Sequence, residues 1–188
     1  MGRAGAGTLA DVTSCPGAES CRLAVTQSRG LGRALSDFLD GHDDLVASVP
    51  GLDIKISGCP NGCGQHHIAG IGFQGSLRKV GGRPAPHYFV MVGGGAGDGI
   101  TTFGRHAATV PARRCGEVIE RLIRLYQQRH VGAETALAFF RRIDLAVVKD
   151  ALRELDRLAP EAARAEDFVD LGEEVEFSPE VQEGECSA

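Results

Sequence analysis

The chain reads as an α+β fold, a mixed β-sheet covered by helices, on two observations. Short stretches that alternate apolar and polar residues, such as "LDIKIS" at 52–57, have the period of half-buried strands. Two longer stretches, 18–39 and 112–130, repeat apolar residues every three or four positions, the period of a helix packed along one face. No internal repeat is visible within the chain. With 188 residues, 43% of them apolar, the chain is long enough for one domain with a core, with room for an appendage.

From the N-terminus, "TLADVTS" at 8–14 reads as a short strand running straight into Cys15. Between Ala18 and Leu39, Leu23, Leu31, Leu35 and Phe38–Leu39 recur at helical spacing, with Gly30 and Gly32 loosening the middle. "GHDD" and "VPG" then punctuate the link. The strand 52–57 ends, like the first, at a cysteine turn, so two cysteine pairs each follow a strand end. "IAGIGFQGSLRKV" and "PHYFVMVGG" flank the loop "GGRPA" as a strand pair, with strands near 70–79 and 87–93. The Gly-rich "VGGGAGDGI" does not satisfy G-x-G-x-x-G and is not followed at once by a helical pattern; it reads as a sheet-to-loop transition, not a dinucleotide cradle.

After Pro111 the pattern turns helical. Val118, Ile119, Leu122, Ile123 and Tyr126 form an apolar stripe, with Arg113, Arg114, Arg121 and Arg124 on other faces. "TALAFFRRID" and "LAVVKDALRELDRL" read as further short helices, a helical C-terminal extension. The tail "EDFVDLGEEVEFSPEVQEGECSA" is acidic with scattered apolar residues, the composition of extended chain that wraps a neighbour or stays disordered.

The net charge of −5 argues against a nucleic-acid binder. Ten of the 25 acids follow Pro160, so the body before it is slightly basic and suits anionic ligands. No run approaches the roughly 18 apolar residues of a membrane span, and "MGRAGAGTLADV" lacks a signal-peptide core, so a cytoplasmic, reducing compartment is expected. There, six cysteines are free, catalytic or metal-bound in preference to disulfide-linked.

Four of them carry the functional question. Cys15 and Cys21 stand as C-x5-C in "TSCPGAESC", and Cys59 and Cys63 as C-x3-C in "SGCPNGCGQHHIAGIGF". Zinc prefers C-x2-C knuckles, and neither pair has that spacing. A [4Fe-4S] cubane also takes four thiolates but spreads its irons more widely, so looser spacings serve, and the nearby glycines expose N–H groups to its sulfurs. Spacing alone leaves cluster, zinc and unligated structural cysteines all open. Cys115, inside the helical stripe, reads as a small buried hydrophobe, and Cys186 in the tail is unassigned.

Taken together, "TSCPGAESC" and "GCPNGCG" in that order resemble the sirohaem and [4Fe-4S] region of the sulfite and nitrite reductase family. "CPNGCGQHHIAGIGFQG", "HYFVMVGGG" and "RCGEVIERLIRLY" are similar to the family's cysteine turn, next strand with its glycine turn, and late helix. The resemblance runs from residue 8 to about 142. It implies a 4Fe-4S-domain-like fold, with a cofactor-binding domain over 1–142 and a helical extension and acidic tail over 143–188. It also implies that Cys15, Cys21, Cys59 and Cys63 ligate a [4Fe-4S] cluster, with Cys63 bridging to the iron of a sirohaem. Asn61, Gly93 and Gly94 then lie where the macrocycle presses on backbone. Arg78, Lys79, Arg83 and Arg105 are candidates for its carboxylates, and His66 and His67 for its edge. The implied reaction takes six electrons, sulfite to sulfide or nitrite to ammonia, from a donor such as a ferredoxin.

Family members are much longer and built from two similar halves, and the substrate-binding cations come chiefly from the first. The chain therefore resembles the C-terminal half and is expected to need a missing N-terminal half or a partner subunit to act on its small oxyanion substrate. The alternative is a stand-alone iron–sulfur module for electron transfer or structure, without sirohaem.

Overall fold

A computed structural model describes residues 6–97 and 100–179. Its centre is a five-stranded mixed sheet in the order β1 (Thr13–Ser14), β2 (Ile54–Ser57), β3 (Ile71–Val80), β4 (Arg83–Val92) and β7 (Arg105–Pro111). The first three are parallel and the rest antiparallel. Between β4 and β7 a small ribbon pairs β5 (Gly95–Gly97) with β6 (Ile100–Thr102). The helices are α1 (Ser28–Asp40), α2 (Asp43–Ala47), α3 (Cys115–Arg129), α4 (Ala136–Arg142) and α5 (Leu145–Leu152).

Strand alternation decides which residues meet the helices. Ile54 and Ile56 register with Ile71 and Phe73, which register in turn with Val92 and Val90, and all six are fully buried. Against them pack Leu31, Leu35 and Leu39 of α1 and the predicted stripe of α3, from Val118 to Tyr126. Val148 and Leu152 of α5 enter this same core. Thr135 and Asp144 cap α4 and α5, their side-chain oxygens accepting the amides of Ala138 and Ala146 at 3.2 and 2.9 Å.

Three boundaries differ from the sequence expectation. The first strand is only Thr13–Ser14, because residues 6–11 are turns. The first helix starts at Ser28 and not at 18; before it lie a 3-10 turn at Gly17–Glu19 and irregular chain, so Cys21 is not helical. The "GGRPA" loop shrinks to Gly81–Gly82, both at positive φ (59° and 87°), the backbone of a two-residue hairpin turn. Pro84 and Pro86 are thus strand residues, tolerated because β7 pairs with β4 only from His87 onward.

Candidate metal centre

The two cysteine-bearing segments leave neighbouring parallel strands at the same end of the sheet. Ser14 registers with Ile56, and the Cys15 amide donates to the Ile56 carbonyl at 3.1 Å, so Cys15 emerges beside the Gly58–Cys59 step. The chain then turns back, the Cys21 amide donating to the Gly17 carbonyl at 2.9 Å. Residues 21–27 cross the second cysteine turn, where the Val25 and Thr26 amides both donate to the Gly58 carbonyl, at 2.8 and 3.1 Å. Gly75 of β3 lies beneath this crossing, and a Cβ there would run into the Thr26 side chain and the Gly58 carbonyl. Each pair does follow a strand end, and the strands bring the pairs together.

The four thiols share one environment. Burial pushes the Cys59 thiol up; the Asn61 backbone amide opposes this, while the charges of Cys15, Cys21 and Cys63 raise it further. Two N–H groups are thus directed at sulfur, that of Asn61 at Cys59 and that of Gly58 at Cys15 Sγ, the latter at 3.3 Å. The Ser28 hydroxyl lies 3.2 Å from the same Cys15 sulfur and donates to the Cys15 carbonyl at 2.9 Å. Cys59 is buried, Cys15 and Cys21 are half-buried, and Cys63 is exposed. Among the described residues, no three His, Cys, Asp or Glu side chains converge as a single-ion site.

This donor set fits a multi-iron cluster. Four thiolates within one another's field need a polycation to become stable together, and amides directed at sulfur temper the charge that remains. A cluster would be held by Cys15, Cys21, Cys59 and Cys63, with Cys63 on the open side. The exit from the turn is tight: Gln65 adopts the left-handed conformation (φ 60°), and its amide donates to the Gly62 carbonyl at 2.7 Å.

The remaining sequence candidates fall into two groups. His66 and His67 lie over the cysteine turn, the His67 ring against Gly62, with His67 Nδ1 3.2 Å from His66 Nε2 and that atom 3.1 Å from Gln74 Oε1. Burial, aided by His67 and opposed by the Gln74 hydrogen bond, lowers His66 to about 4. Asn61 is exposed in the turn itself.

The second group makes its contacts with other parts of the chain, Gly94 against the backbone of His67 among them. Gly93 and Gly94 lie at the far end of β4, where a Cβ would meet the Phe140 carbonyl and the Ala69 and His67 carbonyls respectively. Arg105 donates through Nη2 to the carbonyls of Phe140 and Ile143, at 2.7 and 2.9 Å, at the end of α4. Arg78 pairs with Asp156 at 3.2 Å and Arg83 with Glu176 at 2.8 Å. Lys79 is exposed on β3. Cys115 is fully buried at the start of α3, its thiol pushed well up by burial, as its place in the stripe predicted. Cys186 lies outside the described residues.

Sequence reasoning missed Ser28, Gly58 and Thr26. They bear on the site through a hydroxyl, an amide and a packing contact that no motif spacing encodes.

The sequence profile of the nitrite and sulphite reductase 4Fe-4S domain matches residues 5–150. Sulfite reductase [ferredoxin] 1 of Mycolicibacterium paratuberculosis is 29% identical over 137 residues, covering 70% of this chain and 24% of that protein. The assimilatory ferredoxin-dependent nitrite reductase of Haloferax mediterranei is 30% identical over 144 residues, covering 73% and 24%. Among solved structures, the Mycobacterium tuberculosis NirA protein aligns with a TM-score of 0.67 and 27% identity, over 73% of this chain and 26% of that one. Dissimilatory sulfite reductase I aligns at 0.56 with 13% identity, over 81% and 53%, a likeness of fold alone. The chain thus spans about a quarter of the length of the curated relatives. With its four-cysteine constellation, its mixed sheet and a match over most of its length, the chain belongs to the nitrite and sulphite reductase 4Fe-4S domain family.

Proposed function

We propose that this chain is the sirohaem- and [4Fe-4S]-binding module of a six-electron reductase that converts nitrite to ammonia or sulfite to sulfide. Cys15, Cys21, Cys59 and Cys63 would hold the cluster, and Cys63, on the open side, would be the residue shared with the sirohaem. The observation that carries this is the gradient in burial across the four thiols, from buried Cys59, which feels the charge of the other three, to exposed Cys63. When bound, the two cofactors supply single-electron relay and a haem iron on which the oxyanion is reduced.

The chain's own residues do the holding. The Gly58 and Asn61 amides stabilise negative charge on Cys15 and Cys59, and the His66–His67–Gln74 set braces the turn. Asn61, Gly93, Gly94 and Arg105 are assigned to the sirohaem edge on the resemblance alone. Residues 1–142 are the cofactor-bearing unit and 143–188 its extension. A second half or partner subunit supplies the substrate-binding cations. The ferredoxin-dependent relatives support a ferredoxin as donor, and the free thiols suit the cytoplasm. No helix among the described residues is long and apolar enough to cross a membrane.

The test is anaerobic expression alongside a sirohaem-synthesis pathway, followed by an absorption spectrum with iron and acid-labile sulfide analysis. Cluster iron with matching sulfide and a haem band are expected, and Cys63→Ser should disturb both signals. Cluster without haem would favour the stand-alone module; zinc without sulfide would overturn the cluster assignment. If Cys63→Ser left the haem band intact, the bridge would be wrong.

A further inference from the structure

The acidic tail, as far as Pro179, folds back on the cysteine loop of its own chain. Its neck closes where the Phe177 amide donates to the Phe168 carbonyl at 2.7 Å, beside a bridge between Val169 and Glu176. Phe168 and Phe177 are buried, and the Arg83 guanidinium sits 3.8 Å above the Phe168 ring while pairing with Glu176. This segment lies beyond residues 5–150, the extent of the family match.

Within that closed loop, Asp170 is 3% exposed and accepts the Gln27 amide at 2.7 Å, across 143 residues of sequence. The Gln27 amide stands at the start of α1, where helices have no internal partner for it. Glu173 accepts the Gln27 side-chain amide at 2.6 Å. The Leu171 carbonyl lies against Gly30, in space that a Cβ there would occupy. Between strap and loop is a cleft of about 360 Å³, with Cys21, Arg22 and Val25 on one wall and Asp170, Glu173 and Phe177 on the other. Residues 21–27 have no regular structure of their own. Their position rests on the Gly17 carbonyl at Cys21 and the Gly58 carbonyl at Val25 and Thr26 from the inside, and, through Gln27, on Asp170 and Glu173 from the outside.

We infer that residues 165–179 are a latch for the cysteine loop, with Asp170 and Glu173 as positioning residues that hold Cys21 in place beside Cys59. The inference deepens the cluster reading, on which only its second readout rests. Burial raises the Asp170 carboxyl, with the Gln27 and Leu171 amides, one on each carboxylate oxygen, opposing.

The experiment compares wild type, Asp170→Ala, Asp170→Asn and Glu173→Ala. The first readout is iodoacetamide alkylation of the cluster-free chain, followed at each cysteine by mass spectrometry. Loss of a carboxylate acceptor from a buried amide should raise the Cys21 rate in Asp170→Ala about tenfold. Asp170→Asn, which keeps one oxygen for the Gln27 amide but turns its NH2 toward the Leu171 amide, should return it part of the way, to about threefold above wild type. Glu173→Ala, on the more exposed contact, should give roughly threefold. Exposed Cys63 should not change in any variant.

The second readout is iron loss to a chelator from the cluster-loaded chain, which should quicken in the same order. Wild-type Cys21 rates in folded Asp170→Ala and in Glu173→Ala would overturn the latch. Equal acceleration in Asp170→Asn and Asp170→Ala would also overturn it, since the positioning role requires rescue. If Asp170→Ala does not fold, Glu173→Ala decides. A chain that never takes up iron and sulfide would sink the cluster reading instead, and the alkylation result would still decide the latch.

Discussion

Cys59 and His66 show how burial controls chemistry at single residues. A buried thiol surrounded by three others resists ionisation until a cation arrives, so iron uptake should release protons and weaken as pH falls. His66 titrates near pH 4 in the folded chain and near 6.5 when unfolded, so between those values the unfolded chain binds the extra proton. The stability that depends on neutral His66 is complete above about pH 6.5 and is lost as pH falls toward 4. The loss is on the order of 3 kcal/mol at its largest. Urea unfolding of the cluster-free chain from pH 7.5 to 4.5 should show this decline, and His66→Gln should make it shallower. An unchanged slope in that variant would remove His66 as its source.

At the scale of elements, the packing of turns against strands sets the tolerances. Gly75→Ala should force the 21–27 crossing off β3, destabilising the chain by about 1–3 kcal/mol and cutting iron uptake severalfold. A thermal melt and an iron assay check both halves of that expectation. Arg105 is a sharper case, because the resemblance gives it to sirohaem while its Nη2 contacts belong to the end of α4. Arg105→Gln should cost about 1–2 kcal/mol through the lost carbonyl contacts and helix-end charge. If it lowers the haem band while leaving the melting temperature alone, the sirohaem contact is the real one.

At the scale of the molecule, helices cover one face of the sheet, and the cysteine turn with exposed Cys63 and Phe103 stands open. The cluster-loaded chain of 188 residues should accordingly accept electrons from dithionite without reducing nitrite or sulfite. Turnover should appear when a complementary half is supplied, measured as ammonia or sulfide per electron consumed. Turnover by the chain alone would show that it carries its own substrate cations.

The sequence by itself determined the α+β class, the long helical stripe from Val118 to Tyr126, and the two cysteine pairs at strand ends. Periodicity and motif order are local properties, and each is legible within a few tens of residues. Helix entry at Ser28 was not legible, because the same apolar spacing continues back to Leu23, and the bonds that hold that stretch irregular, to Gly17, Gly58, Asp170 and Glu173, come from outside it. The partners of Arg78, Arg83 and Arg105 were equally hidden, since a cation's motif position does not say which carboxylate or helix end folding brings to it. The tail shows the division most plainly. Its composition allowed a wrapped neighbour or disorder; in the folded chain its described part, residues 166–179, lies against the cysteine loop of the same chain. The contact that settles this joins Gln27 to Asp170, too far apart in sequence for any local pattern to register.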